Sequence, residues 1–112
     1  MAIIVEVVSP AKLLQQIKSV IVEKKIETWK YDVDGDFTHT PPQWLNKAWF
    51  RPVLGPDSLM FGLLGVKDVK MTKGIYGVYH GRFIEMLLSH FDVDFSAVSA
   101  TAQKDGRADK FS

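Results

Sequence analysis

Two stretches of apolar residues, Ile3 to Val8 broken only by Glu6, and Leu59 to Val66, constrain this chain more than any other feature. A sheet with one face in water alternates apolar and polar residues along its strands, whereas strands shielded on both faces read as near-continuous apolar runs. Both runs are of the second kind, so both are expected at the centre of a sheet. Gly62 and Gly65, inside the second run, mark a bulge or the close approach of another segment.

The remaining elements follow from periodicity and punctuation. Ser9-Pro10 reads as an N-cap followed by proline at the first helical position, where a missing N–H costs nothing. Leu13, Leu14, Ile17, Val20 and Ile21 then form an apolar stripe at 3.6 spacing, opposite Lys12, Gln15, Lys18, Ser19 and Glu23. Between Ile26 and Thr40 a three-residue loop, Val33-Asp34-Gly35, sets Tyr31 opposite Phe37 and Trp29 opposite His39, which places the aromatic rings on one face and Gly35 in the left-handed position. Thr40-Pro41-Pro42 either caps a short helix carrying Trp44, Leu45, Ala48 and Trp49 or continues as extended chain.

Trp49 to Leu54 reads as a strand that Pro52 confines to an edge. A longer helix runs from Thr72 to near Phe91, with Ile75, Tyr79, Phe83, Met86, Leu87 and His90 on one broad face and Arg82, Glu85 and Ser89 on another. Gly74, Gly77 and Gly81 each weaken that helix by about 1 kcal/mol relative to alanine, which calls for a compensating close neighbour. Asp94 to Ala102 is a last strand. Residues 104–112 form a polar tail beyond a domain of residues 1–103, with Phe111 its only apparent anchor.

The order strand, helix, hairpin, hairpin, helix, strand resembles a ferredoxin-like βαββαβ plan with extra strands. It implies one α+β domain, mainly antiparallel sheet with two helices packed on it. Such an analogy carries no function.

Composition narrows the chemistry. With 14 Lys and Arg against 13 Asp and Glu, a net charge of +1 offers no field for a polyanion, and neither a basic stripe nor an RNP-type aromatic motif is present, so nucleic acid is not an expected partner. Zero cysteines exclude a disulfide framework, a thiolate metal site and a cysteine nucleophile. The opening MAIIVEVVSPAKLLQQ lacks a basic leader, and no apolar run approaches the roughly 20 residues of a membrane span, so the expected location is cytoplasmic, with no membrane association.

No dinucleotide fingerprint or P-loop occurs, so no cofactor is expected. Asp32, Asp34 and Asp36 depart from a calcium loop, whose glycine is sixth and whose acidic residue is twelfth; here glycine is fourth and Gln43 is twelfth, so the triplet reads as a solvated hairpin tip. The three histidines, His39, His80 and His90, lack ligand spacing, and no metal is expected. Lys67, Lys70 and Lys73 approach the second helix as solvated side chains more readily than as an anion site. His80 lies toward the apolar side of that helix, where it must find a partner or line a cavity.

The strongest functional clue is the aromatic concentration in residues 29–50. Tryptophan and tyrosine are enriched where interfaces draw their energy, and Arg51 beside Trp49 and Phe50 could add a cation–π contact. The candidate binding residues are therefore Trp29, Tyr31, His39, Trp44, Trp49, Arg51, His80 and Arg82, with no residue assigned to catalysis. The expected function is a binding or interaction module, a homodimer that uses the aromatic hairpin as interface or pocket for a protein partner or a small apolar or anionic ligand. The alternative is a small cofactor-free oxygenase or isomerase with a cavity near His80.

Overall fold

A computed structural model describes residues 2–106 and 108–111. Along the chain lie β1 (Ile3–Glu6), α1 (Pro10–Val22), β2 (Trp29–Tyr31), β3 (Phe37–His39), β4 (Ala48–Leu54), β5 (Ser58–Gly65), α2 (Lys73–Phe91) and β6 (Ala97–Ala100). The six strands form one antiparallel sheet in the order β2-β3-β4-β5-β1-β6. Its β4-β5-β1-β6 portion is consistent with the ferredoxin-like plan, and the hairpin β2-β3 extends it beyond β4. Both apolar runs occupy interior strands, as their lack of alternation requires.

Register assigns each residue to a face. Ile3 opposite Phe61, Val5 opposite Leu59 and Phe50 opposite Leu63 point inward, toward Leu13 and Ile17 of α1 and Phe83 and Leu87 of α2. The two helices thus cover one face and close a core in which Trp29, Phe37, Phe50, Phe61, Tyr79 and Phe83 are all shielded. Neighbouring rings meet at tilted or perpendicular angles, Phe61 and Phe83 at 4.7 Å and Trp29 and Phe83 at 4.8 Å between centroids, which suits their quadrupoles. The other face presents Ile4, Trp49, Met60 and Leu64, all half-buried, and Val53, which is exposed.

Several local expectations hold. Pro10 sits at the first turn of α1, and the Thr72 hydroxyl caps α2 by accepting from the Ile75 N–H at 3.1 Å. The β2-β3 hairpin has the three-residue-loop register, Trp29 opposite His39 and Tyr31 opposite Phe37, with Gly35 at φ +82°. Gly62 lies in close contact with another segment: a Cβ there would stand 2.1 Å from the Ala108 carbonyl oxygen.

Others are corrected. Residues 41–47 are not a helix but a run of turns, with Trp44 and Leu45 N–H both donating to the Pro41 carbonyl and Asn46 at φ +58°. β4 is an interior strand rather than an edge, yet its pairing with β3 is confined to Phe37 opposite Phe50, so Pro52 withholds its donor where β3 has already turned away. Among the described residues no neighbour approaches Gly77 or Gly81: a Cβ at either would meet nothing within 4 Å. On α2, His90 is exposed, whereas His80 is buried.

The C-terminal segment is held by more than Phe111. β1 pairs with β5 only from Ser58 to Phe61, which leaves the β1 side of Leu63–Gly65 open, and the chain returns to fill it. Lys110 N–H donates to the Leu63 carbonyl at 2.7 Å, and Gly65 N–H donates to the Lys110 carbonyl at 2.9 Å. The buried Asp109 carboxylate accepts from the N–H groups of Leu63 and Asp105, each at 2.7 Å. Among the described residues, no helix is long and apolar enough to cross a membrane.

Candidate functional site

A buried hydrogen-bond knot builds the site. The Thr38 hydroxyl on β3 donates to the Ala48 carbonyl at 3.0 Å, accepts from Asn46 N–H at 3.2 Å, and lies 3.1 Å from the Tyr79 hydroxyl on α2. That Tyr79 hydroxyl in turn donates to the Trp44 carbonyl. Turns have no regular ladder of their own, so these bonds fix residues 41–47 against α2 and the end of β3.

Between that loop and α2 lies a cleft of about 270 Å³, lined by Thr28, His39, Pro41, Gln43 and Trp44 on one side and by Arg82, Glu85, Met86, Ser89 and His90 on the other. His39, only 5% exposed, is its most constrained member. Its ring lies 4.5 Å from Trp29 between centroids, and its Nδ1 is 2.7 Å from the Thr28 carbonyl oxygen. A carbonyl can only accept, so Nδ1 carries the proton and Nε2 is left as an acceptor.

Burial holds the His39 imidazole below its ordinary pKa of 6.5. The Thr28 carbonyl opposes that shift, the charge of Arg82 adds to it, and Glu85 opposes it. The ring therefore stays neutral at pH 7. Arg82 and Glu85 form a pair at 3.1 Å with both side chains more than half exposed, an arrangement worth little in stability and readily exchanged for a ligand.

The expected binding residues separate into five groups. His39, Trp44 and Arg82 meet in the cleft. Trp29 is 1% exposed beneath it, ring against ring with His39. Tyr31 flanks α1, with the Lys18 ammonium 5.4 Å from its ring centroid. Trp49 and Arg51 lie on the outer face of the sheet, away from the cleft. The aromatic concentration thus divides between core and surface, with Trp29, Phe37 and Phe50 inside.

His80 stands apart. It is buried edge-on against Phe50 at 5.1 Å, its Nδ1 is 2.6 Å from the Tyr76 carbonyl, and it does not line the cleft. Arg51 is committed to Asp36, with Nε at 3.0 Å and Nη2 at 2.8 Å from its two carboxylate oxygens. That pairing, with Asp32 accepting from the N–H groups of Asp34 and Asp36, accounts for the acidic triplet as a hairpin tip, although the three carboxylates lie within 4.8 Å of one another.

Periodicity carried part of the cleft: Arg82, Glu85 and Ser89 recur on one flank of α2. Gln43 and Thr28 gave no signal, because turns and distant hydrogen bonds bring them there. Comparison with protein families, with curated proteins and with solved structures finds no match to this chain.

Proposed function

We propose that the protein is a non-catalytic binding module, working as a homodimer, whose ligand seat is the cleft between the aromatic hairpin and α2. The observation that carries the reading is His39: a nearly buried imidazole fixed in one tautomer by Thr28, with a bare acceptor nitrogen and no partner for it among the described residues. The volume lies just under the roughly 300 Å³ at which ordinary ligand pockets begin, so the ligand is a small metabolite. Its chemistry follows from the lining: a donor O–H or N–H for His39, an acidic group for Arg82 and a flat apolar portion for Trp44.

Salicylate, which combines hydroxyl, carboxylate and ring, and inorganic phosphate, which offers only an anion, are suitable probes. The expected outcome is a rise in melting temperature and NMR shifts at the His39 ring and the Trp44 indole with salicylate, both lost in Arg82→Gln. Millimolar salicylate and phosphate leaving both rings unmoved would remove the reading.

A cofactor-free enzyme is the second reading. One observation favours it, the hydrogen bond from His39 Nδ1 to the Thr28 carbonyl, which leaves Nε2 of a cleft-lining imidazole as the acceptor a general base needs. On this reading the base moves from His80 to His39, because His80 is packed against Phe50 and bonded to its own helix.

A further inference from the structure

The lining of the cleft is balanced in charge. Apart from two histidines it holds one basic residue, Arg82, and one acidic residue, Glu85, a turn apart on α2. Arg82 Nη1 lies 3.1 Å and 3.4 Å from the two Glu85 carboxylate oxygens, and both charges act on the His39 ring, in opposite directions. His39 adds an acceptor, because its Nδ1 is given to the Thr28 carbonyl. Among the described residues, Trp29 Nε1 is the sole side-chain polar atom both enclosed and unbonded. The unbonded His39 Nε2 therefore reaches open space, and the cleft is the space that His39 lines.

A ligand thus meets two acceptors, His39 Nε2 and the Glu85 carboxylate, beside one fork of donors on Arg82. A hydroxy acid satisfies His39 and takes Arg82, but it strips Glu85 of its cation and sets a second carboxylate next to it. A zwitterion leaves no such remainder. Its carboxylate replaces Glu85 on Arg82, and its ammonium, with three donors, replaces Arg82 on Glu85 while still reaching the imidazole.

We infer that the ligand is a free aromatic α-amino acid, with its carboxylate on Arg82, its ammonium between His39 Nε2 and Glu85, and its ring on Trp44. The inference rests on the cleft being the ligand seat and gives that ligand its class. In an α-amino acid both charges are borne by one carbon, so they fit a guanidinium and a carboxylate that already touch. A peptide bond at either end would remove one of the charges, and about 270 Å³ has no room for a chain. Half-buried Trp44 and buried Met86 supply the apolar surface for the ring.

Titration of the full chain at pH 7, followed by NMR at the His39 ring and the Trp44 indole, tests this with probes that share one frame. L-phenylalanine carries both charges, L-3-phenyllactate has a hydroxyl in place of the ammonium, and phenethylamine lacks the carboxylate. L-phenylalanine should dissociate between about 0.05 and 1 mM, as suits so small a ligand, and the other two more weakly. Glu85→Gln should weaken L-phenylalanine by about threefold to tenfold and tighten phenyllactate, whereas Arg82→Gln should weaken both. Opposite signs in one variant mark a direct contact with the ammonium, which a general disturbance of the cleft would not produce. Both side chains are more than half exposed, so neither substitution should unfold the chain, and circular dichroism checks this.

Phenyllactate binding as tightly as L-phenylalanine, or Glu85→Gln changing the two alike, overturns the amino acid and leaves the cleft as a seat for anions. Rings unmoved by all of these probes and by salicylate overturn the cleft and the inference together.

Discussion

His39 shows how one residue ties folding to acidity. Its folded-state pKa lies below the unfolded value near 6.5, because burial and the Arg82 charge outweigh the opposing effects of the Thr28 carbonyl and Glu85. Folding therefore expels a proton in mild acid, and the unfolded chain binds more protons than the native one. The contribution of the neutral ring to stability is complete above pH 6.5, declines as pH falls through the lowered folded value, and is flat below it. His39→Asn keeps a donor for Thr28 but cannot titrate. Urea titrations should show the stability advantage of the native chain over this variant shrinking as the pH falls below 6.5, where the variant's own curve is flatter.

At the scale of elements, α2 contains avoidable weakness. Gly77 and Gly81 have open space where a Cβ would stand, so alanine adds helix propensity without a clash. Gly77→Ala and Gly81→Ala should each stabilise the fold by about 0.5–1 kcal/mol. A calorimetric scan of the double variant should show a melting temperature raised on the order of 5–10 °C. Sequence reasoning identified these glycines as anomalous but could not see that no neighbour approaches them, since that depends on which helix face the sheet takes.

Legibility followed the same division elsewhere. The hairpin register was readable from alternation because one pairing alone put Trp29, Tyr31, Phe37 and His39 on a common face. The turns of residues 41–47 were not, because Thr38 and Tyr79, from two other elements, hold them in place. His80 was rightly placed on the buried side of α2, while its partner, the Tyr76 carbonyl, is its own helix backbone one turn earlier.

For the whole molecule, the informative region is where the two ends of the chain meet on β5. β1 covers one half of its edge and the 109–110 segment the other, with the Asp109 carboxylate receiving the buried Leu63 N–H. Composition alone suggested a loose tail, because a carboxylate whose partner lies 46 residues away looks like any other solvated charge. Asp109→Ala should destabilise the chain by about 1–3 kcal/mol by leaving that N–H without an acceptor. Hydrogen exchange should show lost protection at Leu63 and Gly65, with the α1 amides unaffected at low denaturant.

The pairing of β1 with β6, Ile3 opposite Ala100, also sets a timetable for synthesis. As the polypeptide leaves the ribosome, β1 keeps the flank away from β5 vacant until residues 97–100 emerge, and the span between β1 and β6 must be closed against entropy before that flank is filled. Helices and hairpins can form beforehand, but this flank of β1 is sealed only once residues 97–100 are available. Until then the apolar stretch that begins at Ile3 has one edge without a neighbouring strand.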